Sequence, residues 1–389
     1  MATHNVNTNL RAWAEINLDN LAANAAQIRA AVGPKPQIMA AVKADAYGHG
    51  AVSVSGALLQ SGVSQLGVAT CAEGVELREN NINAPVLIFG HTPPLDFPEV
   101  IKHNLTQTVF NYEMAAQLSG LALEISGAPA RIHIKIDTGM SRLGFIPGHE
   151  ALLDIQRTAQ LPGVYITGAY THFADSDTND QSFTRGQYAC FTEFTDALSK
   201  AGIHIPLRHA ANSGAIVGCP GVFLDMVRSG ILLYGLKPSA EMDMRGVSVT
   251  PVMTLKSRVG FIKRLPPGVS VSYGRTYVTP RETLVATIPF GYADGYPRAL
   301  SNRGRVLLNG RFASVIGMVC MDQLMADVTD ITGAAVGQEV VLIGCQGKEE
   351  ITADELAAAA GTISYEIVCG IGKRVPRLYI KNNKFVKMV

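Results

Sequence analysis

The feature that most constrains the fold of this chain is a repeated alternation between short apolar runs and segments of helical period. Between residues 38 and 230, runs of strand length are separated by segments such as Ala72 to Glu79 and Arg185 to Lys200. The predicted strands are Ile38 to Val42, Gln65 to Thr70, Val86 to Gly90, Thr106 to Phe110, Arg131 to Asp137, Val164 to Phe173, Leu207 to Ser213 and Phe223 to Gly230. Eight βα units over about 200 residues predict a (β/α)8 TIM barrel. A doubly wound sheet is disfavoured because no Gly-x-Gly-x-x-Gly turn follows the first strand.

A second pattern begins near residue 240. From Met253 onward, apolar runs are separated by Pro-Pro-Gly, Asn-Gly and Val-Gly turns, which is typical of a mainly antiparallel β domain. The runs are Leu255 to Ile262, Leu284 to Pro289, Arg305 to Leu308, Ala313 to Val319 and Glu339 to Ile343, and one helix, Ala353 to Ala360, is capped by Thr352. We therefore expect a flexible tail at 1–11, a barrel at 12–240 and a β domain at 241–389. The strand at 11–18 is expected to pair with the β domain.

Composition disfavours several classes of function. Of the 389 residues, 47% are hydrophobic and 17% are charged, and the net charge of +1 comes without a basic run. Nucleic acid and anionic membrane surfaces are therefore not expected partners, and a small molecule is. The six cysteines are scattered and have no neighbouring histidine at metal-ligand spacing, which favours reduced thiols, no metal site and a cytoplasmic protein. Neither a secretory leader nor a run of about 18 apolar residues is recognisable, so we expect no secretion and no membrane insertion.

Lys43 occupies a position where chemistry is expected. It follows the apolar run Ile38 to Val42, and the loop after it carries Tyr47 and two glycines. In α/β barrels, ligands bind at the carboxyl ends of the strands, whereas an ammonium within the strand would be buried without an evident partner. Position alone leaves open whether Lys43 is functional or only marks the end of a strand.

The whole string around Lys43 favours a function through a family resemblance. Val-Lys-Ala-Asp-Ala-Tyr-Gly-His-Gly, residues 42–50, closely resembles the lysine signature of the alanine racemases, which depend on pyridoxal phosphate (PLP). The resemblance implies that Lys43 forms a Schiff base with PLP and that Tyr47 reaches the PLP phosphate. The family usually has asparagine where this chain has Asp45. A barrel followed by a β domain also resembles the family, so the resemblance covers nearly the whole chain.

Polar residues of the fifth strand point into the predicted barrel. The strand alternates strictly, so that His133, Lys135 and Asp137 face the interior. The next loop, Asp-Thr-Gly-Met-Ser-Arg-Leu-Gly, resembles the family string whose arginine contacts the cofactor's phenolic oxygen and the region of the substrate carboxylate, which implies this role for Arg142. Two cations, Lys135 and Arg142, would repel each other in a low dielectric. We therefore expect Lys135 to lose its proton and capture carbon dioxide as a carbamate, as the matching lysine does in many racemases of this family.

Two further strings resemble strand ends of the family. Tyr-Thr-His-Phe-Ala-Asp, residues 170–175, carries His172, and Arg-His-Ala-Ala-Asn-Ser, residues 208–213, supplies Asn212 and Ser213. A single histidine is usually an ordinary core or surface residue. The family context reverses this interpretation for His172 but not for His209.

A phosphate site is expected after the last two barrel strands. Barrels frequently bind phosphate through these loops and a short helix N-terminus, and Gly230 and Ile231 open the following helix with free backbone N–H groups. Ser213 would join them. Tyr47 and Tyr365 complete the phosphate shell by resemblance.

Arg228 has a mechanistic implication. In the family this arginine faces the pyridine nitrogen of PLP, where many PLP enzymes place an acid that keeps the nitrogen protonated. Arginine cannot accept that proton because its pKa exceeds about 12. The carbanion at the substrate Cα should then be less delocalised into the ring, which favours return of a proton to Cα, as racemisation requires.

Strings of the β domain complete the resemblance. Val-Ser-Tyr-Gly-Arg-Thr-Tyr contains Tyr273, which matches the second catalytic base of the family. Phe-Gly-Tyr-Ala-Asp-Gly-Tyr-Pro-Arg puts Tyr292 and Arg298 at the substrate entrance, with Asp177 from the barrel, and Val-Cys-Met-Asp-Gln puts Met321 beside the substrate. In the family the tyrosine base enters from the partner subunit. A head-to-tail homodimer with Tyr273 and Met321 in trans is therefore expected.

The resemblance implies PLP-dependent racemisation of L-alanine and D-alanine by two bases, which supplies D-alanine for peptidoglycan. Lys43 would take the proton of D-alanine and Tyr273 that of L-alanine. A serine racemase or a broader amino-acid racemase of the same family remains an alternative, because the sequence does not distinguish the preferred side chain. A non-catalytic PLP carrier would lack residues 245–389. A decarboxylase of similar design fits Met-Ser-Arg, Ser-Tyr-Gly and Cys-Met-Asp less well than a racemase.

Overall fold

The structure is a computed structural model that describes residues 9–389, so most of the expected tail at 1–11 lies outside the described residues. The chain divides into two compact units. The barrel unit comprises residues 21–46 and 51–250, and the β unit comprises residues 47–50 and 251–389 together with the N-terminal segment that ends at Asn20. The first elements are strand β1 (Ala12–Asn17) and helix α1 (Leu18–Val32).

Eight parallel strands form the closed barrel that the sequence predicts. Each strand pairs with the next along the chain, and the last pairs with the first to close the ring. The strands are β2 (Gln37–Ala41), β3 (Gln65–Val68), β4 (Val86–Ile88), β5 (Thr106–Val109), β6 (Ala130–Lys135), β7 (Val164–Tyr170), β8 (Arg208–His209) and β9 (Met226–Ser229). Most end earlier than predicted, and β8 has only two residues, because residues 210–212 leave the ladder and lead into a helix.

Helices connect the barrel strands. They are α2 (Lys43–Gly48), α3 (Ala51–Gln60), α4 (Cys71–Glu79), α5 (Phe97–Lys102), α6 (Tyr112–Ile125), α7 (His149–Ala159), α8 (Ser182–Lys200) and α9 (Ser213–Gly218). Polar caps fix several starts: the Asn111 side chain accepts from the Met114 N–H at the start of α6. The same helix buries Met114, Leu118 and Ala122, spaced four residues apart, which is the apolar stripe of a helix packed on one face.

The β unit is built on one large, mostly antiparallel sheet, as predicted. Its strands in chain order are β10 (Met253–Arg258), β11 (Phe261–Leu265), β12 (Ser270–Val271), β13 (Tyr277–Val278), β14 (Thr283–Ile288), β15 (Arg305–Leu308), β16 (Arg311–Val315), β17 (Leu324–Asp327), β18 (Glu339–Gln346), β19 (Glu349–Ile351), β20 (Arg377–Lys381) and β21 (Lys384–Met388). Strands β12 and β13 form a separate pair. The N-terminal strand β1 joins the large sheet, antiparallel to β10 and parallel to β20.

Helices α10 (Ala353–Ala360) and α11 (Ser364–Cys369) complete the β unit. The bounds of α10 agree with the prediction, and the Thr352 side chain caps it by accepting from the Glu355 N–H. Helix α11 was not predicted, because its six residues are too short to show a helical period.

Two expectations about the β unit differ from the structure. The apolar run from Leu255 to Ile262 is two strands, because the chain leaves β10 after Arg258 and starts β11 on a different neighbour, β14. Arg11, expected at the end of a flexible tail, is held in place: its guanidinium donates to both carboxylate oxygens of Asp294, at 2.6 and 3.1 Å, and to the Pro289 carbonyl at 2.7 Å.

Candidate active site

Lys43 begins a left-handed turn at the carboxyl end of β2. Ala44, Asp45, Ala46 and Tyr47 have φ angles between +52° and +55°, so α2 is left-handed and is not the loop that the sequence analysis assumed. This conformation costs an L residue roughly 1–2 kcal/mol. Strain of this kind persists only where the surroundings impose it, and it clusters at functional sites.

Two carboxylates hold the left-handed turn. The Ala44 N–H donates to Oε1 of Glu73 at 2.6 Å, and the Ala51 N–H donates to Oδ1 of Asp45 at 2.8 Å. Glu73 itself is fixed at the start of α4, where it forms a capping box with Thr70. Asp45, the departure from the usual family string, therefore links the turn to the start of α3.

Lys135 is buried in the barrel unit, with only 4% of its surface exposed. Its Nζ donates to the carbonyl oxygen of Ile136 at 2.9 Å, and it forms no ion pair with a described residue. Burial lowers the pKa of Lys135 to about 8; the charge of Asp137 opposes this shift and those of Arg228 and Arg142 reinforce it. A fraction of this amine is therefore neutral near physiological pH.

The turn after β6 carries Arg142. Oδ1 of Asp137 accepts from the backbone N–H groups of Gly139 and Ser141, each at 3.0 Å, and Ser141 has a φ of +55°. Burial opposes ionisation of Asp137, but these hydrogen bonds and the charge of Lys135 lower its pKa overall. The carboxylate thus shapes the turn, and the Arg142 side chain that follows is exposed.

Arg228 is a buried cation surrounded by neutral groups. It is 5% exposed, and Nη2 donates to the carbonyl oxygens of Thr171 (2.7 Å) and Ala210 (2.9 Å). Nη1 donates to Nδ1 of His209 at 2.9 Å, and Nη2 lies 3.3 Å from Nδ1 of His172. Burial lowers the pKa of Arg228 to about 10, so it remains charged at neutral pH. Among residues 9–389 no carboxylate forms an ion pair with it. A buried cation of this kind suits a ligand that offers a lone pair or negative charge.

The two histidines beside Arg228 are neutral. Burial and the charge of Arg228 lower the pKa of both His172 and His209 well below the ordinary value, with Arg142 adding to the effect on His172. From the sequence, a role is expected for His172 only. The structure adds His209, which has the shorter contact with Arg228; its position at the end of β8 is the signal that the sequence offers.

The expected phosphate site lies where two helical segments begin. The Asn212 side chain caps α9 by accepting from the Ala215 N–H at 3.0 Å. Ser213, 6% exposed, starts that helix, and a 3-10 turn, Ile231–Tyr234, starts directly after β9. The Gly230 N–H is not free as expected, because it donates to Oγ of Ser213 at 2.9 Å. This bond ties the two loops together.

Tyr47 and Tyr365 belong to the β unit and lie near each other. Their ring centroids are 6.2 Å apart, with Tyr365 on α11. Burial raises the pKa of Tyr47, so its hydroxyl stays protonated. The phenol of Tyr47 therefore keeps the proton that a hydrogen-bond donor needs.

Four other predicted residues of the β unit are exposed: Tyr273, Met321, Tyr292 and Arg298. Tyr273 is 72% exposed, Met321 52% and Tyr292 41%. The loops of Tyr292 and Met321 are joined, since the Tyr292 N–H donates to the Cys320 carbonyl at 3.1 Å. Arg298 lies in the 3-10 turn Arg298–Leu300 of the same unit.

The third predicted entrance residue, Asp177, lies in the barrel unit, where its carbonyl oxygen accepts from Oγ of Ser239 at 2.7 Å. In the described part of the chain, no three His, Cys, Asp or Glu side chains are grouped as metal ligands. No helix between residues 9 and 389 is long and apolar enough to cross a membrane.

A closed parallel barrel with a lysine at one strand end, a buried arginine and a helix start at others defines an enzyme of the TIM-barrel class. Comparison with known proteins identifies the family. Residues 16–238 match the family model for the N-terminal domain of alanine racemase, and residues 252–379 match that for its C-terminal domain. The alanine racemase of Clostridium perfringens (strain SM101 / Type A) is 48% identical over 377 residues, which are 97% of each chain.

Solved structures agree with this match. The alanine racemase of Clostridium difficile 630 superposes with a TM-score of 0.94 at 40% identity, covering 98% of this chain and 99% of that one. The alanine racemase of Bacillus anthracis with bound L-Ala-P gives a TM-score of 0.91 at 35% identity, covering 98% of both chains. The chain belongs to the alanine racemase family and is an amino-acid racemase, an isomerase.

Proposed function

We propose that this racemase interconverts L-alanine and D-alanine with PLP bound at the carboxyl ends of the barrel strands. The observation that carries the proposal is the pairing of Lys43 with a buried, carboxylate-free Arg228. Strands β2 and β9 are neighbours in the ring, with Met39 in register with Arg228, so the two cations leave adjacent strand ends. The charge of Lys43 is also among the causes that lower the pKa of His172, a contact of Arg228.

The residues fit the three functional parts of PLP. Lys43 offers an amine for the aldehyde, and Arg228 offers N–H donors for the ring nitrogen. Ser213 and the backbone at Gly230 and Ile231 would form the polar cradle that barrels use for phosphate, with the Gly230 N–H turning from Oγ of Ser213 to the phosphate. When bound, PLP withdraws electrons from the substrate Cα, which makes the Cα proton removable.

Arg228 adjusts the chemistry towards racemisation. With a pKa near 10, the guanidinium stays charged at neutral pH, so it would donate a hydrogen bond to the ring nitrogen without giving up its proton. It has no lone pair with which to accept a hydrogen bond from a protonated ring nitrogen. Negative charge that develops during the reaction then remains nearer Cα. Return of a proton to Cα is favoured over loss of the amino group.

Removal of the Cα proton from either enantiomer requires two bases, because L-alanine and D-alanine present that proton on opposite faces. Lys43 would serve the D-alanine face and Tyr273 the L-alanine face. The exposure of Tyr273 (72%) and Met321 (52%) supports their use in the barrel of a second copy. We therefore infer a homodimer in which Tyr273 and Met321 act in trans.

Lys135 would act as a carbamate that orients Arg142. Its pKa of about 8 and the absence of an ion pair with any described residue support conversion of the neutral amine by carbon dioxide. The resulting anion would neutralise the charge of Arg142, whose guanidinium would then face the substrate carboxylate and the phenolic oxygen of PLP.

The other predicted residues have supporting roles in this proposal. Tyr47 and Tyr365 would donate to the phosphate, which their 6.2 Å separation and the protonated Tyr47 hydroxyl support. Asn212 and His172 would line the cofactor site of the barrel. The substrate entrance would be formed by Tyr292, Arg298 and Asp177.

The decisive measurement is the rate of racemisation across a panel of L-amino acids by the PLP-loaded protein. We expect alanine to be fastest, in accord with the named relatives. A faster rate with serine would favour the serine or broad-specificity alternative, and no racemisation of any amino acid would refute the proposal. The product D-alanine would serve peptidoglycan synthesis in the cytoplasm, a setting in accord with six cysteines that are widely scattered along the chain.

A further inference from the structure

A second buried histidine lies behind the one that contacts Arg228. His133 on β6 and His209 on β8 are 3% and 0% exposed, and Nδ1 of His133 lies 3.0 Å from Nε2 of His209. The other ring nitrogen of His209, Nδ1, accepts from Arg228 at 2.9 Å. The three side chains therefore form one continuous hydrogen-bonded line inside the barrel unit.

The chemistry of arginine fixes the direction of every bond in this line. A guanidinium donates and cannot accept, so Nδ1 of His209 must carry a lone pair. A neutral imidazole with an unprotonated Nδ1 carries its proton on Nε2, which must then donate to Nδ1 of His133. His133 in turn is left with its proton on Nε2. One tautomer of each ring is compatible with the observed distances.

Aromatic packing fixes the plane of the central ring. Tyr170 stacks on His209 with ring centroids 4.9 Å apart and an angle of 8° between the planes. The Tyr170 hydroxyl lies 3.0 Å from Oγ1 of Thr108 on β5, which holds the tyrosine in turn. His209 is thus clamped by stacking on its face and by hydrogen bonds at both of its nitrogens.

We propose that His133 is a positioning residue of the active site, which holds His209 in the tautomer that accepts from Arg228 and so orients the guanidinium. His209 stands between His133 and Arg228 in the hydrogen-bonded line, so His133 acts on the guanidinium through His209. Without an acceptor at the position of His133 Nδ1, the Nε2 proton of His209 is buried without a partner. The alternative tautomer, with the proton on Nδ1, then faces an arginine N–H donor and repels it.

The first test reads the tautomers directly by 15N NMR of histidine-labelled protein at neutral pH, in the apo and PLP-loaded forms. We expect the ring nitrogens of both His133 and His209 to show the Nε2–H tautomer in the unaltered protein. Finding Nδ1–H at either residue would overturn the proposal without any variant. Replacing the exposed His149 by leucine provides a control for assignment, since it should remove one signal and leave the pair unchanged.

Two matched variants separate the hydrogen bond from the space that His133 fills. In His133→Asn the amide oxygen can occupy the place of Nδ1 and accept, whereas His133→Leu keeps a side chain of similar size with no acceptor. We expect His209 to keep the Nε2–H tautomer in the asparagine variant and to lose it, or to exchange between tautomers, in the leucine variant. Equal behaviour of the two variants would contradict the proposed role.

The catalytic consequence rests on the proposed function. It is measured as the partition between a side reaction and racemisation. In a side reaction, the amino group of alanine passes to the PLP aldehyde carbon, so that alanine is oxidised to pyruvate and PLP is reduced to pyridoxamine phosphate. Loss of a buried hydrogen-bond partner corresponds to a change on the order of tenfold, so His133→Leu should raise pyruvate formed per racemisation by roughly that factor. His133→Asn should stay close to the unaltered protein.

The outcomes distinguish this inference from the proposed function. If the unaltered protein shows the expected tautomers but racemises no amino acid, the proposed function fails and the structural part of the inference stands. If the unaltered protein racemises alanine and His133→Leu, folded by circular dichroism, leaves both the tautomer and the partition unchanged, the inference about His133 is wrong.

Discussion

At the scale of single residues, Lys43 is distinguished by its location more than by its immediate neighbours. It leaves the carboxyl end of β2 half-buried, on a turn whose backbone is held by Glu73 and Asp45. Lys43→Ala should abolish covalent attachment of PLP and lower kcat by at least roughly a thousandfold, because the proposed function assigns both the attachment and one of the two bases to this amine. Visible absorbance and borohydride reduction followed by peptide mapping check this. Lys102→Ala, on an exposed lysine of α5, should change neither, and a pyridoxyl label on another lysine would contradict the assignment.

Lys135 gives a pH-dependent prediction. The neutral amine reacts with carbon dioxide, and with a pKa of about 8 it becomes the major form only above that pH. Protein equilibrated with 13C-bicarbonate should therefore show a carbamate signal that grows between about pH 7 and about pH 9. Lys135→Met should lack the signal, whereas Lys102→Met should retain it. A signal that persists without Lys135 would rule out this lysine as the modified one.

At the residue level, sequence strings carry information that single contacts do not. Strings and strand ends single out Arg228 and Ser213, and both side chains form buried hydrogen bonds in the structure; their functional roles stay predictions. His209 was missed because its partner His133 is 76 residues away in the chain, on a different strand. No local pattern distinguishes such a histidine from an ordinary core histidine.

At the scale of elements, a glycine substitution in the left-handed turn α2 should have the opposite effect on stability to the one that glycine usually has in a helix. Glycine normally destabilises a helix by about 0.5–1 kcal/mol, but it adopts positive φ without steric cost. The exposed Ala44 has a φ of +52°. Ala44→Gly should therefore raise the free energy of unfolding by up to about 1 kcal/mol, whereas Ala57→Gly in the right-handed α3 should lower it by a similar amount. Urea unfolding of both variants checks this, and destabilisation by both would contradict a left-handed α2.

The sequence predicted element types better than element ends. The eight barrel strands were predicted because parallel strands buried on both faces read as continuous apolar runs. The sequence predicts a loop at Lys43, because a left-handed turn of non-glycine residues has no sequence signal. The turn depends on Glu73, which accepts a hydrogen bond from the Ala44 N–H although it lies 29 residues away in the chain. The run from Leu255 to Ile262 was predicted as one strand, because apolar character does not show that the chain changes neighbours after Arg258.

At the scale of the whole molecule, the buried histidine pair should make stability fall in acid. Burial lowers the pKa of His133 to about 3, and that of His209 is also well below its ordinary value. Between those values and about pH 6.5 the unfolded chain binds protons that the folded chain does not, so the free energy of unfolding falls as pH falls through this window. Above it, neither state carries the extra protons and the pair has no effect of this kind.

The magnitude follows from the same linkage. Each such histidine removes up to about 1.4 kcal/mol of unfolding free energy per pH unit within the window. Urea unfolding at about pH 7 and about pH 5 should therefore show a smaller acid loss for His133→Asn than for the unaltered protein, with exposed His149→Asn as the matched control. An equal acid loss in all three would mean that the pair is not buried in its neutral form.

The proposed composite site can be tested by exchanging subunits between two inactive proteins. If Tyr273 acts in trans, each barrel pairs its own Lys43 with the tyrosine of the other chain. A heterodimer of Lys43→Ala and Tyr273→Phe chains then contains one intact site, because both defects fall in the other site. Mixing equal amounts of the two under conditions of exchange should restore about a quarter of the unaltered activity, since about half of the dimers are mixed and each has one working site of two. Mass spectrometry confirms that exchange has occurred.

The reverse mixture separates trans from cis without relying on recovery. A chain carrying both Lys43→Ala and Tyr273→Phe, exchanged into the unaltered protein, gives heterodimers in which a trans arrangement leaves each site with one defect. At equal amounts the activity should fall to about half of its value before exchange, because only unaltered dimers keep working sites. In a cis arrangement every unaltered chain keeps its own site, so the activity would not change on exchange. Constant activity after verified exchange, together with no recovery in the first mixture, would place Tyr273 with the barrel of its own chain. The homodimer would then no longer explain why Tyr273 is exposed.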